Sequence, residues 1–248
     1  MLRSGSLCGL AVSTMLVLGG SAAQAAEGTV SVDFLSAYVW RGITVNDTGV
    51  AQFALDAGEL KVGELPLSFN VWGNLDLGDK DGALKSGAVS EIDLTVTLGL
   101  PAGFSAGFID YTFPAIFDDA GIPATQELFL SWSKEMVVTP TVSLYYDVGA
   151  VDSVYGTLGL GWSRALGEKA SLDLSGQVAY AGEKFAEFYS SGTKSGFHDY
   201  LVGASLSYQA TEKVSLSGQI NYAGSLDKEV LAEQDLGFFG GVGVAFTF

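Results

Sequence analysis

The chain has 248 residues, 12 Lys and Arg against 28 Asp and Glu, and a net charge of −16. An acidic surface of this kind excludes nucleic acid as a partner, because phosphate recognition needs clustered Lys and Arg. One cysteine (Cys8) and one histidine (His198) exclude a disulfide framework and a multi-histidine metal centre.

Residues 1–25 read as a cleaved export signal. Met1-Leu2-Arg3 forms a short positive start, an apolar stretch runs from Leu7 to Leu18, and Ala23-Gln24-Ala25 is a small-x-small cleavage site. The stretch falls short of the roughly 20 apolar residues a spanning helix needs. Cys8 precedes the apolar region, which argues against a lipoprotein. The mature chain then begins at Ala26, lacks a thiol, and forms one domain of about 220 residues.

After the signal no run is apolar enough for a transmembrane helix, yet the mean hydropathy is +0.32. The apolar residues alternate instead. Ile92, Leu94, Val96, Leu98 and Leu100 face one way, and Glu91, Asp93, Thr95, Thr97 and Gly99 the other. The same period of two runs through 154–163, 171–180 and 214–222, which is the signature of strands with one apolar face. Such segments start near Thr29, Val50, Pro66, Ser90, Phe104, Thr125, Val137, Ser153, Ala170, His198, Val214 and Asp235. Short turns, such as Pro101-Ala102-Gly103 and Lys134-Glu135-Met136, alternate with longer polar loops at 41–49, 79–89, 114–124, 182–197 and 223–234. An even strand count with alternating loop lengths predicts an all-β fold. It is a transmembrane, antiparallel, up-and-down β-barrel of about 12 strands over 26–248. A soluble sandwich could bury the same side chains, but would require neither the loop alternation nor an aromatic final strand.

In that final strand Phe238, Gly240, Val242, Val244, Phe246 and Phe248 share one face. Phe246 and Phe248 are read as the insertion signal recognised by the barrel-assembly machinery. Two aromatic girdles are expected at the headgroup levels. Tyr38, Trp40, Tyr111, Phe113, Tyr146, Tyr180, Tyr200 and Tyr222 fall at the outer one, and Trp132, Trp162, Tyr208, Phe246 and Phe248 at the periplasmic one.

The opposite parity assigns side chains to the lumen: Asp33, Arg41, Asp56, Asn70, Trp72, Asn74, Asp76, Glu91, Asp93, Asp110, Glu127, Asp147, Asp173, Gln177, Asp199, Gln219 and Asn221. Asp76, Glu91, Asp93, Asp110, Glu127, Asp147 and Asp199 cluster toward the outer end. An acidic ring in a narrow opening favours cations. The alternative is that the carboxylates pair with Arg41 and loop lysines and plug the lumen.

Several stretches resemble the TorF-type porin family. Ser36-Ala37-Tyr38-Val39-Trp40-Arg41-Gly42-Ile43 is similar to its S-x-Y-x-[FW]-R-G-[IV] opening. Trp72-Gly73-Asn74-Leu75-Asp76 is similar to its W-[GA]-S-N-[LV]-D strand end, with the serine missing. Gly107 to Pro114 looks like its G-x-x-x-Y-T-[YF]-P segment, and Glu91-Ile92-Asp93-Leu94 and Glu127-Leu128 like the acidic starts of two strands. The matches cover about the first half of the mature chain. The resemblance implies a pore in the outer membrane, but no known substrate. Outer-membrane lipid, lipopolysaccharide and small hydrophilic solutes are the expected partners, and no cofactor is expected.

Other chemistry is weaker. Asp79-Lys80-Asp81-Gly82 resembles part of a calcium loop, but Leu77 and Ala88 occupy two of its ligand positions. The loop acids Asp118, Asp119, Asp227, Glu229 and Glu233 could hold ions bridging lipopolysaccharide, or be solvated. A hydrolase needs a nucleophile beside a base. His198 has Asp199 and Ser190-Ser191 near in sequence, yet no serine stands out as its partner. A structural or recognition barrel is the remaining class, with Phe185 and Phe188-Tyr189 the nearest thing to an apolar loop tip.

Deleting Phe248, or replacing it with Asp, is expected to leave periplasmic, protease-sensitive chain. Normal amounts of the variant in the outer membrane would contradict the insertion role.

Overall fold

The computed structural model describes residues 28–78, 85–114, 123–232, 234 and 237–248. The export signal at 1–25, the Asp79–Gly82 loop, Asp118, Asp119 and Glu233 lie outside the described residues.

Twelve strands close into one antiparallel barrel. They are β1 (Thr29–Leu35), β4 (Val50–Val62), β5 (Leu65–Asp76), β6 (Val89–Gly99), β7 (Phe104–Thr112), β8 (Thr125–Ser133), β9 (Thr139–Asp147), β10 (Val154–Ala165), β11 (Ala170–Ala181), β12 (Gly196–Gln209), β13 (Val214–Ser225) and β14 (Phe238–Thr247). Each pairs with its neighbours in sequence, and β1 closes on β14 in the register Thr29↔Thr247 to Leu35↔Gly241. Closure leaves no unpaired edge, which a strand facing hydrocarbon requires. The remaining two strands, β2 (Tyr38–Trp40) and β3 (Ile43–Asn46), pair only with each other.

Facing follows the period of two. Leu94, Leu128, Leu130, Leu144, Leu158, Leu160, Val202, Leu206, Ile220 and Val242 all stand exposed on the outside. In water such a surface would aggregate, whereas in a bilayer it is solvated by acyl chains. The opposite positions, such as Ser105, Ser131, Ser143, Asp173, Ser205, Ser207 and Asn221, are polar and buried.

The interior of the outer half is filled. The β2–β3 hairpin turns inward, joined by Arg41 and Gly42 at φ 48° and 74°. Two positive φ values make the two-residue turn that matches hairpin twist. A Cβ at Gly42 would stand 2.4 Å from Asp199 Cβ, so only glycine fits this turn against the wall. A short helix, α1 (Glu183–Ser190), follows β11 and buries Phe185, Ala186 and Ser190. Phe185, Val230, Tyr111, Tyr145, Tyr155, Ile109 and Phe129 form one buried cluster, with Trp40, Phe113 and Tyr189 against it.

Five sequence assignments are corrected by this arrangement. Tyr38, Trp40, Tyr111 and Phe113 are not girdle residues: Tyr111 belongs to the inner cluster, Trp40 and Phe113 pack against it, and Tyr38 is buried with Leu35 and Val50. Asp110 is not in the lumen. On β7 the inward side chains are Ser105, Ile109 and Tyr111, all buried, while Phe104 and Phe108 are exposed, which puts Asp110 outside. There it accepts a hydrogen bond from Gln126 Nε2 (2.8 Å). Tyr146, Tyr180 and Tyr208 are exposed on the outer face, as are Phe246 and Phe248. Trp132 and Trp162 share the outer parity, the Trp132 indole donating to Ala102 O (3.2 Å).

Val96 lies outward between Leu94 and Leu98, and Thr95 inward. Val96→Arg is expected to cost about 2–4 kcal/mol at the membrane midplane, and Thr95→Arg much less. Unfolding from lipid vesicles measures both, and equal costs would reverse the facing.

Candidate functional site

The inward carboxylates of the outer half are mostly engaged in holding the lumen elements. Asp76, at the end of β5, accepts from Asn46 Nδ2 (2.7 Å) on the hairpin and from Asn74 Nδ2 (3.0 Å). Glu91 on β6 accepts from the Tyr38 hydroxyl (2.8 Å), and the Tyr38 ring packs at a tilt against Trp72, centroids 5.5 Å apart. Asp93 sits opposite Tyr111 on the paired strand. Asp147, ending β9, accepts from Thr125 Oγ1 (2.7 Å), Gly149 N (2.9 Å) and Val151 N (3.0 Å), so it caps its own loop. Asn74 adds bonds to Ser90 Oγ (2.9 Å) and from Gln52 Nε2 (3.2 Å).

Arg41 is the centre of this half. Its Nη1 donates to Glu127 Oε1 (2.8 Å) and its Nη2 to Glu127 Oε2 (2.6 Å), a two-point contact with a carboxylate only 2% exposed. The Tyr111 hydroxyl also donates to Glu127 Oε2 (2.9 Å). The guanidinium packs on four aromatic rings, Trp40, Tyr145, Tyr155 and Phe185. A buried ion pair is favourable only when geometry is good and the remaining polar atoms are met. Both conditions hold here.

His198 and Asp199 share a bulge in β12 where the pairing with β11 slips between Val178 and Tyr180. The bulge turns both into the interior, and both are fully buried. Asp199 Oδ2 lies 2.8 Å from His198 Nδ1 and accepts from the Tyr155 hydroxyl (2.7 Å). His198 Nε2 lies 3.3 Å from Ser190 Oγ, the partner that sequence did not single out. The order Ser190, His198, Asp199 has the connectivity of a hydrolytic triad, but not its access. The Ser190 hydroxyl contacts the carbonyls of Ala186 (2.9 Å) and Val230 (2.8 Å) and is buried at the end of α1. The group ties α1 and the 227–231 turn to β12.

Toward the end of the short turns the wall changes character. Asp56 accepts from Asn70 Nδ2 (2.8 Å), and Asp173 from Ser171 Oγ (3.2 Å). Asp33 reaches the space left by Gly243, where a Cβ would stand 2.0 Å from its Oδ1 and 2.6 Å from Ser217 Oγ. Gln177, Gln219 and Asn221 continue the polar inner face to mid-barrel, Asn221 donating to Gln219 Oε1 (3.1 Å).

Outside the membrane-spanning strands, charges pair on the exposed rim. Lys184 Nζ (2.7 Å) and the Tyr146 hydroxyl both donate to Asp152 and hold its carboxyl below the usual carboxylate range. The Glu229 amide, then Lys194, do the same to Asp227. Among the described residues no group of three or more His, Cys, Asp or Glu side chains is placed to hold a metal ion.

No protein-family model and no curated protein matches the chain. Solved structures do. The COG4313 outer membrane channel from Pseudomonas putida F1 aligns over 90% of this chain and 95% of its own at TM-score 0.55 and 14% identity. The KdgM porin, solved in complex with disordered oligogalacturonate, aligns over 90% and 99% at TM-score 0.49 and 9% identity. Outer membrane phospholipase A from Escherichia coli covers 88% and 89% at TM-score 0.49 and 17% identity. At these identities the likeness is one of fold. The chain is a twelve-stranded barrel of the outer-membrane type.

Breaking the central ion pair tests the site. Glu127→Ala is expected to destabilise by about 3–5 kcal/mol, because it strands a buried guanidinium. Adding Arg41→Met should restore more than half of that loss in urea unfolding from vesicles. A double variant as unstable as the sum of the two would show that the groups do not interact.

Proposed function

We propose that this barrel is an outer-membrane channel for small neutral or cationic hydrophilic solutes. In this reading the signal at 1–25 directs export, and β14 engages the assembly machinery. The loop acids face lipopolysaccharide. The observation that carries the proposal is the contrast between the two faces of one closed sheet. The outside is apolar, while the inside is hydroxyl- and amide-rich, with Asp56 and Asp173 toward the short-turn end, Asp33 at mid-strand level, and Asp76, Glu91, Asp93 and Glu127 toward the end that holds the hairpin. A lumen whose charges are mostly carboxylates concentrates cations and repels anions. The likeness to the COG4313 channel supports the reading at the level of fold. So do the motifs shared with the TorF-type porins, a membership we extend to this chain.

One observation favours a second reading. The hairpin and α1 occupy the outer half of the lumen, as they would in a non-conducting structural barrel. In the channel reading they form a constriction that limits solutes to small ones.

Planar-bilayer recording separates the two. The wild type is expected to conduct with a cation preference that fades as salt shortens the screening length to about 3 Å at 1 M. Glu91→Gln with Asp93→Asn should move the reversal potential in a salt gradient toward the anion side. Conductance without cation preference at low salt would contradict the acidic lumen. Silence in the wild type and in a variant lacking 38–46 would favour the structural barrel.

A further inference from the structure

The surroundings of Arg41 belong mostly to the wall and not to the hairpin that delivers it. Tyr111, Glu127, Tyr145 and Tyr155 stand on four consecutive barrel strands, β7 to β10. Among the described residues, Trp40 from the hairpin and Phe185 from α1 are the rings around it that lumen elements contribute. The guanidinium carbon stands 4.4 Å from the Tyr155 ring centroid, 4.5 Å from Trp40, 4.7 Å from Tyr145 and 5.5 Å from Phe185. Glu127 binds it at two points, and Arg41 Nη2 lies 3.4 Å from the Tyr111 hydroxyl. An aromatic cage closed by one carboxylate selects weakly hydrated organic cations over compact, strongly hydrated ones such as sodium.

The turn gives a second, independent reason to treat Arg41 as an occupant. A non-glycine residue at φ 48° is uncommon, and the first position of such a turn favours Asn, Asp or Gly. Arginine gains nothing from this backbone conformation. It gains from the cage.

We propose that the wall formed by Tyr111, Glu127, Tyr145 and Tyr155 is a recognition site for organic cations carrying a guanidinium or alkylammonium head. Arg41 fills that site as an internal mimic. This narrows the solute class of the channel reading and rests on that reading for the solute's route, although the cage itself stands without it. Solutes bearing such a head compete with Arg41, and the hairpin is the element they displace.

The test uses Arg41→Ala, refolded as the full barrel in a zwitterionic, sugar-free detergent, with ethylguanidinium as the probe. By calorimetry ethylguanidinium should bind Arg41→Ala at least tenfold more tightly than the wild type, whose site is filled. Adding Glu127→Gln should remove at least tenfold of that affinity, and sodium at equal ionic strength should not compete. Equal affinity for wild type and Arg41→Ala, or none for the folded variant, would overturn the proposal. If Arg41→Ala folds poorly, its refolding yield should rise several-fold with ethylguanidinium and not with sodium chloride. An unchanged yield would equally overturn it. Binding by a barrel that is silent in bilayers would keep the cage and remove the channel. Conductance without binding would remove the cage alone.

Discussion

A backbone inside hydrocarbon has no solvent to satisfy its amide groups, so every N–H and C=O must find a partner within the chain. That constraint turns twelve amphipathic strands into one closed ladder, and everything else follows from closure. It fixes an outside, where Leu, Val and Ile stand exposed to lipid, and an inside, where Ser, Asn, Gln and the carboxylates collect. It also brings Tyr111, Glu127, Tyr145 and Tyr155, from four different strands, onto one patch of inner wall.

Closure creates a second requirement. Carboxylates crowded into a low-dielectric interior repel one another unless cations, donors or shared protons answer them. The chain answers with its own elements. The hairpin supplies Arg41 to Glu127, Tyr38 to Glu91 and Asn46 to Asp76. On the other side the wall residue Tyr155 and His198 meet Asp199, and Ser190 of α1 meets His198. The acids are therefore the anchor points of the elements that fill the outer lumen, and in the proposed channel they are also the field that acts on solutes. Under that proposal, neutralising them is expected to change shape as well as selectivity.

The barrel was legible in the sequence because the period of two survives in nearly every strand. The failures came where aromatic character was equated with the lipid face. On β7 the parity of Phe104 and Phe108 already places Asp110 outside and Tyr111 inside. Tyrosine enters a polar lumen readily when its hydroxyl has an acceptor, as Tyr111 has in Glu127. Tyr38 and Trp40 follow a break in strand pairing that hydropathy does not record. Trp40-Arg41-Gly42-Ile43, two residues with a glycine between apolar neighbours, was the available sign of a tight hairpin. The helix after β11 had its own sign, since Phe185 and Tyr189 are four residues apart among good helix formers. The link between Ser190 and His198 had only their nearness in sequence, because the carbonyls and the bulge that position them are set by tertiary packing.

The account depends most on the hairpin lying inside the barrel. The mature chain is expected to lack cysteine, so a single one introduced as Thr44→Cys reports directly on that position. Thr44 is buried on β3, whereas Lys228 is exposed on the outer rim. With a membrane-impermeant maleimide on outer membranes, Thr44→Cys should label at least tenfold more slowly than Lys228→Cys. Similar rates for the two would place the hairpin in solvent and contradict the account.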